Sequence, residues 1–212
     1  MKYFKPLFLQ LAMILIFSTA FAEEGDFSDF TEVTTQLSPV NGKVLSPNLQ
    51  TKLLLTALTY EKNLKDKAVD QIDIGILYFP WFEQSKKEAK SFVKALKILQ
   101  DKKIEGRSFN VFLFTYNGDA GIKEKIAGKH IEVLFIVGGE KRMLKEIIEL
   151  TQKEKILSWT NNTEYVTSCG VTMGVGLKEN KPKIYLNFSS AQREGVDFSA
   201  KFLRIAEIVD NK

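Results

Sequence analysis

Between residues 72 and 159 short apolar runs alternate with longer stretches of helical spacing, and no other feature of this sequence narrows the fold as much. Residues 72–79 are almost wholly apolar, the pattern of a strand covered on both faces. Pro80 ends it. Ser85-Lys86-Lys87-Glu88 has the form of a capping box, and Ala89, Phe92, Val93, Leu96 and Leu99 follow at helical spacing. Residues 109–116 read as a second strand, 120–127 as a short helix and 131–137 as a third strand. Gly138-Gly139 leads into a helix whose buried side would hold Met143, Leu144, Ile147, Ile148 and Thr151, and residues 156–159 make a short fourth strand. Strand–helix units in series predict a parallel sheet with right-handed crossovers. Upstream, Leu49, Leu53, Leu54, Ala57, Leu58, Tyr60 and Leu64 predict one more helix.

The C-terminal stretch reads differently. Residues 171–177 and 183–188 are two β-prone runs separated by the polar Lys178-Glu179-Asn180-Lys181-Pro182, which predicts a hairpin. Ser189 with Gln192 suggests a second capping box, and Phe198, Phe202, Ile205 and Val209 fall on one face of a final amphipathic helix. Arg193, Glu194, Arg204 and Glu207 lie outside that stripe, as a polar interface rim would. The expected fold is therefore a single α/β domain. It has a mostly parallel sheet with crossover helices, plus a C-terminal antiparallel hairpin and amphipathic helix.

The first 22 residues have the layout of a secretory signal peptide. Lys2 and Lys5 precede an apolar core over residues 7–17, and Ala20-Phe21-Ala22 supplies the small-x-small cleavage pattern. An uncleaved anchor is the alternative, but the run is short for a hydrocarbon core of about 30 Å. Residues 23–47, with Ser-Pro at 38–39 and 46–47, read as a flexible arm, and residues 48–212 as the domain. Removing the leader takes the net charge from +4 to +4 − 2 = +2, which does not call for nucleic acid. Cys169 is the one cysteine, so no intrachain disulfide is possible. It reads either as a small buried apolar group or as a bridge between two chains.

Chemistry is sparse. One histidine and one cysteine do not make a common zinc site, and neither a metal nor a cofactor is expected. A triad would need His130 as its base, and no Gly-x-Ser-x-Gly elbow is present, so no catalytic residue is assigned. His130 follows Gly128-Lys129 in a polar turn and reads as exposed. Gly138 and Gly139 stand at a strand end, where α/β sheets bind ligands, but without a phosphate-loop motif. The ends of the first two strands add Tyr78, Trp81, Tyr116 and Asn117 on the same edge of a parallel sheet. Together these six residues are the candidate ligand-binding set, suited to an uncharged or weakly anionic organic molecule. The plainer alternative is a turn and a closed aromatic core. Lys86, Lys87, Lys90, Lys94 and Lys97 form a solvated helix face, or a surface for an acidic partner.

One resemblance rests on the closing stretch. A glycine-marked strand with Gly170 and Gly174 comes first, then a strand ending in Asn187, a short helix with Ala191, and Gly195. A helix of the form Ser-x-x-Leu-Leu-x-Leu-Ala-x-Val follows, here with Ser199, Leu203 and Ala206 in place. This order resembles the YfiR-like (YfiR/HmsC) family of bacterial periplasmic proteins. The resemblance implies a periplasmic, non-enzymatic regulator that binds the periplasmic part of an inner-membrane sensor, a diguanylate cyclase or kinase, and so controls cyclic-di-GMP and biofilm. A homodimer is compatible with it. Members often carry disulfide pairs, which this chain lacks. A periplasmic small-ligand-binding protein using the strand-end crevice is the alternative.

Overall fold

The computed structural model describes residues 45–68 and 70–209. The expected leader and nearly all of the expected arm lie outside them. The arm's last residues belong to the fold: Leu45 is buried, and the Ser46 hydroxyl accepts from Leu49 N to cap helix α1, Pro47–Leu58. Pro47 at the first helical position costs no hydrogen bond. The helix does not run on to Leu64 as its spacing suggests. It turns at Thr59, and Leu64–Lys67 forms a separate short helix, α2. The break lets the following residues join the C-terminal segment: Ser199 N donates to Tyr60 O, and Lys62 N to Asp197 O.

Strand β1 (Gln71–Tyr78) is followed by α3 (Glu83–Ile98), β2 (Ser108–Thr115), α4 (Asp119–Ala127), β3 (Val133–Val137), α5 (Lys141–Glu154) and β4 (Leu157–Thr160). Then come α6 (Thr163–Ser168), β5 (Met173–Lys178), β6 (Lys181–Asn187), α7 (Phe188–Arg193), α8 (Ala200–Ile205) and β7 (Glu207–Val209). The strands form one sheet in the order β2-β1-β3-β4-β5-β6-β7. The first five are parallel, β6 is antiparallel to β5, and β7 is parallel to β6. The fold is thus α/β with a mostly parallel sheet.

Helices cover both faces, so all five residues of β3 are buried. Val133, Phe135 and Val137 pack with Leu53, Leu54, Phe92, Leu96 and Phe202 under α1, α3 and α8. Leu134 and Ile136 pack with Ile122, Ile126, Leu144, Ile147 and Tyr165 under α4, α5 and α6. Gly75 of β1 leaves room for the Phe114 ring, which lies 2.7 Å from where a Cβ would stand.

Three local readings need correction. Ser85 does not cap its helix, which begins at Glu83; its side chain is buried and bonded elsewhere. Helix α7 is capped by Asn187, whose Oδ1 accepts from Ser190 N at 2.9 Å, and not by Ser189. The final helix is short: it stops at Ile205, and β7 pairs Glu207 with Tyr185 and Val209 with Asn187. The outer edge of β6 needs a hydrogen-bonding partner, and that requirement outweighs the helical spacing of Val209. Phe198 and Phe202 do bury together, their ring centroids 4.3 Å apart. The hairpin turn is the two-residue Glu179-Asn180, with φ 52° and 61°, the left-handed pair that matches strand twist.

Candidate functional site

The chain leaves β1 to place β2 on one side and β3 on the other, so the order reverses between β1 and β3. Such a switch point opens a crevice at the carboxyl ends of the strands. A cleft of about 630 Å³ lies at this end, lined by residues of α1, α3, the β3–α5 turn, the β4–α6 turn and β5. Ser85, in the first turn of α3, ties the reversal together. Its Oγ accepts from Phe79 N at 3.1 Å and donates to Val137 O, joining the ends of β1 and β3.

Gly138 (φ +66°) and Gly139 (φ +129°) turn the chain out of β3, and a Cβ at Gly139 would run into the Phe79 ring. Tyr165 Oη donates to Gly139 O at 2.7 Å and fixes this turn. Across the cleft, Glu88 accepts from Gln84 Nε2 (2.7 Å) and Asn161 Nδ2 (2.8 Å), while Asn162 Oδ1 caps α6 through Glu164 N (3.0 Å). Gln50 donates from Nε2 to Leu45 O at 2.7 Å, which leaves its buried Oε1 without a partner among the described residues. Among the described residues the lining holds one carboxylate, Glu88, and no lysine, arginine or histidine. It can bind neutral or amide-like groups through fixed hydrogen bonds, and it has no cation to hold a phosphate.

Of the six residues singled out from the sequence, Gly138 and Gly139 line this cleft and the other four do not. Tyr78 Oη accepts from Thr115 Oγ1 at 2.9 Å, across the β1–β2 ladder. Trp81 and Tyr116 pack around Phe79, with ring centroids 5.9 and 5.1 Å from it. Asn117 is stacked against Gly121. For Tyr116 and Asn117 strand order is the reason: β2 sits beyond β1, away from the reversal, so its end faces α4 and not the cleft.

The amino end of the sheet is built differently. Glu132, just before β3, accepts from Asp73 N at 2.7 Å, and Asp73 Oδ1 accepts from Asn110 Nδ2 at 2.9 Å. Lys67, His130 and Lys155 line the same cavity of about 580 Å³. Burial, with the Asp73 carboxylate adding to it, pushes the Glu132 carboxyl up to about 7, against the lowering effect of the Asp73 N–H and His130. Glu194 is wholly buried, which corrects its reading as a rim residue. Its carboxylate accepts from Thr151 Oγ1 at 2.6 Å and Ser158 N at 2.8 Å, and burial raises its pKa. Lys67 Nζ donates to Glu194 O (3.2 Å) and Lys155 O (3.0 Å). His130 itself is exposed. Cys169 is half-buried, and burial raises its thiol pKa.

Glu132 had one sequence signal, a carboxylate at the mouth of an apolar run. Glu194 had none, because its partners Thr151 and Ser158 come from a distant segment.

The closing motif has a structural explanation. Gly170 takes φ +85° and Gly195 φ +67°. A Cβ at Gly174 would stand 2.7 Å from Val166. Asn187 is buried, caps α7 and donates from Nδ2 to Val166 O at 3.2 Å; Ala191 is buried, and Ser199 caps α8. Leu203 and Ala206 pack against the core beneath α8.

No curated protein matches the sequence. Several solved structures share the fold. A conserved domain protein from Vibrio cholerae O1 biovar El Tor superposes with a TM-score of 0.56 at 14% identity, covering 79% of this chain and 61% of that one. An ABC domain in complex with L-Trp from Streptococcus pneumoniae gives 0.54 at 13% identity, covering 77% and 60%. A ligand-free, open substrate-binding protein with adhesive properties from Clostridium difficile gives 0.54 at 14% identity, covering 79% and 61%. This chain thus spans about three fifths of each, and the likeness is one of fold. The YfiR/HmsC-like family model matches residues 78–207, from the end of β1 to the start of β7 and through the whole closing motif. On that match, over more than half of its length, the chain belongs to the YfiR/HmsC-like family.

Proposed function

We propose that this protein is a non-enzymatic periplasmic regulator. It binds the periplasmic part of an inner-membrane signalling protein, a diguanylate cyclase or kinase, and restrains it, so that envelope conditions set cyclic-di-GMP and biofilm state. Family membership over residues 78–207 is the observation that carries this reading. The arrangement of reactive side chains supports it. His130 lies at the amino end of the sheet, Cys169 beside α5, and the Ser85 hydroxyl is committed to two backbone groups. Among the described residues no helix is long and apolar enough to cross a membrane.

Restraint of this kind requires the regulator to bind one conformation of its partner better than the other, since equal affinity shifts nothing. Taking a partner from 99% active to 99% inactive needs about a 10⁴-fold preference. The test is deletion of the gene in a strain carrying the partner, with complementation by the exported chain. Intracellular cyclic-di-GMP is expected to rise on deletion and return on complementation; an unchanged level refutes the cyclase role. Export is checked by N-terminal sequencing, with Glu23 as the expected first residue.

The cleft favours a second reading, a binder of small neutral or weakly charged organic molecules. Its volume is that of a ligand pocket, and Gln50, Asn161 and Asn162 line it with amides. A thermal-shift screen of amino acids, short peptides and small anions separates the two. A ligand at a hundred times its Kd adds about 2.7 kcal/mol of stability, whereas a melting point indifferent to every compound disfavours this reading.

A further inference from the structure

The two edges of the sheet are finished in opposite ways. Strand β7 is three residues long, and the Lys178–Glu207 ion pair at 2.8 Å lies across its start. Strand β2 is eight residues long, pairs with β1 on one side, and meets no strand on the other among the described residues. It carries no charge, no proline and no bulge, the devices that protect an edge from pairing.

The direction of its free groups follows from two bonds. Tyr116 N donates to Tyr78 O at 2.9 Å, so the even-numbered residues turn their backbone groups toward β1. Phe109, Val111 and Leu113 therefore turn theirs outward, and Lys125 Nζ reaches the outward Thr115 O at 3.4 Å. Leu113 is 44% exposed at this edge. Cations accompany this side of the sheet: the Lys129 ammonium lies 4.9 Å from the Phe112 ring centroid, Lys125 reaches the edge itself, and Lys90, Lys94 and Lys97 are exposed on α3, which packs on β1, β2 and β3. A second copy of this chain would bring those lysines against one another. An acidic chain would neutralise them.

We infer that the free edge of β2 accepts an added β-strand from the partner, an extended segment whose side chains alternate between apolar and acidic. This rests on the partner-binding reading and gives it a surface. Backbone hydrogen bonds at Val111 and Leu113 supply the pairing, and the lysines select for charge.

The experiment uses the exported chain and its Leu113→Glu, Leu113→Lys and Ile208→Glu variants, all at exposed positions, with melting curves confirming the fold. Each is titrated by fluorescence anisotropy with a labelled peptide of alternating valine and glutamate and with its lysine counterpart. The native chain and Ile208→Glu are expected to bind the acidic peptide alike, more weakly as salt rises. Leu113→Glu should bind about tenfold more weakly, equivalent to about 1.4 kcal/mol, and Leu113→Lys at least as well as native. The inference is overturned if Leu113→Glu binds as native, if the lysine peptide binds equally, or if no acidic peptide binds. It is also overturned if sedimentation shows a second copy on this edge that Leu113→Glu releases, or if removing residues 23–44 is needed to expose it. In the cell the two ideas separate. Gene deletion without effect on cyclic-di-GMP removes the regulatory reading; deletion with effect, together with full restraint by Leu113→Glu, removes the docking edge alone.

Discussion

The two ends of the sheet divide polar chemistry between them. The amino end concentrates ionisable side chains, Glu132, Asp73, Lys67 and Lys155, with buried Glu194 close behind. These groups spend their bonds on the protein itself, joining α2, the strand starts and the turn after α7. The carboxyl end holds glycines, amides and one carboxylate around an open cleft, and the buried Gln50 Oε1 has no partner among the described residues. A charge-rich cavity is often taken as the first candidate for function. Here the charges hold segments together, and the neutral end carries the amide-lined cleft.

The strongest way to break this comparison is to remove Glu194. Glu194→Ala strands the Ser158 N–H in the core, leaves the Thr151 hydroxyl only Ile148 O, and opens a cavity, for an expected loss of about 3–4 kcal/mol. That is a fall in Tm of about 10 °C for a domain of this size, read by thermal melting. A loss below about 1 kcal/mol would mean that the amino end is not the structural tie described.

Ser85→Ala probes the opposite end. It frees the buried Phe79 N–H and Val137 carbonyl together, with an expected cost of about 1–3 kcal/mol by urea titration. Because the cleft wall moves with these groups, any ligand found by thermal shift should also lose affinity in this variant. Retained affinity would show that the reversal between β1 and β3 does not shape the site.

The smallest effect is on pH. The Glu132 carboxyl is raised in the folded protein, to about 7 from an ordinary 4.5, so between these values the folded state holds more protons than the unfolded chain. Its contribution is full below pH 4.5 and is lost as pH rises through about 7. Glu132 is partly open to solvent, which screens it and limits the expected loss to about 1–2 kcal/mol. Glu132→Gln keeps an acceptor for Asp73 N–H and should flatten stability between pH 5 and pH 8, measured by urea titration across that range. An unchanged slope would transfer the effect to Glu61 and Glu194, whose pKa values burial also raises.

Legibility followed the range of the interactions. The strands β1 to β4 and the helices α3 and α5 could be read from spacing, because burial on two faces writes itself into consecutive residues. Local readings failed where a distant group competed for the same residue. Ser85 is drawn to Val137 O, and Val209 leaves its helix to pair with Asn187 of β6, whereas Ser189 yields the cap to its near neighbour Asn187. Of the six candidate residues, two line the cleft. Gly138 and Gly139 mark a strand end whatever the strand order, but their separation from Tyr116 and Asn117 depends on that order.

What the sequence determined by itself was the class of fold, which follows from apolar periodicity, and the family, which follows from its match over residues 78–207. What only the tertiary structure decided was which strand ends share a cleft, that Glu194 is interior, and that β2 and not β6 presents the long open edge. The physical reason is that strand order and edge exposure arise from pairings between segments far apart in the chain. Many sequences of the same pattern satisfy more than one such pairing until side-chain volumes and buried hydrogen bonds select among them.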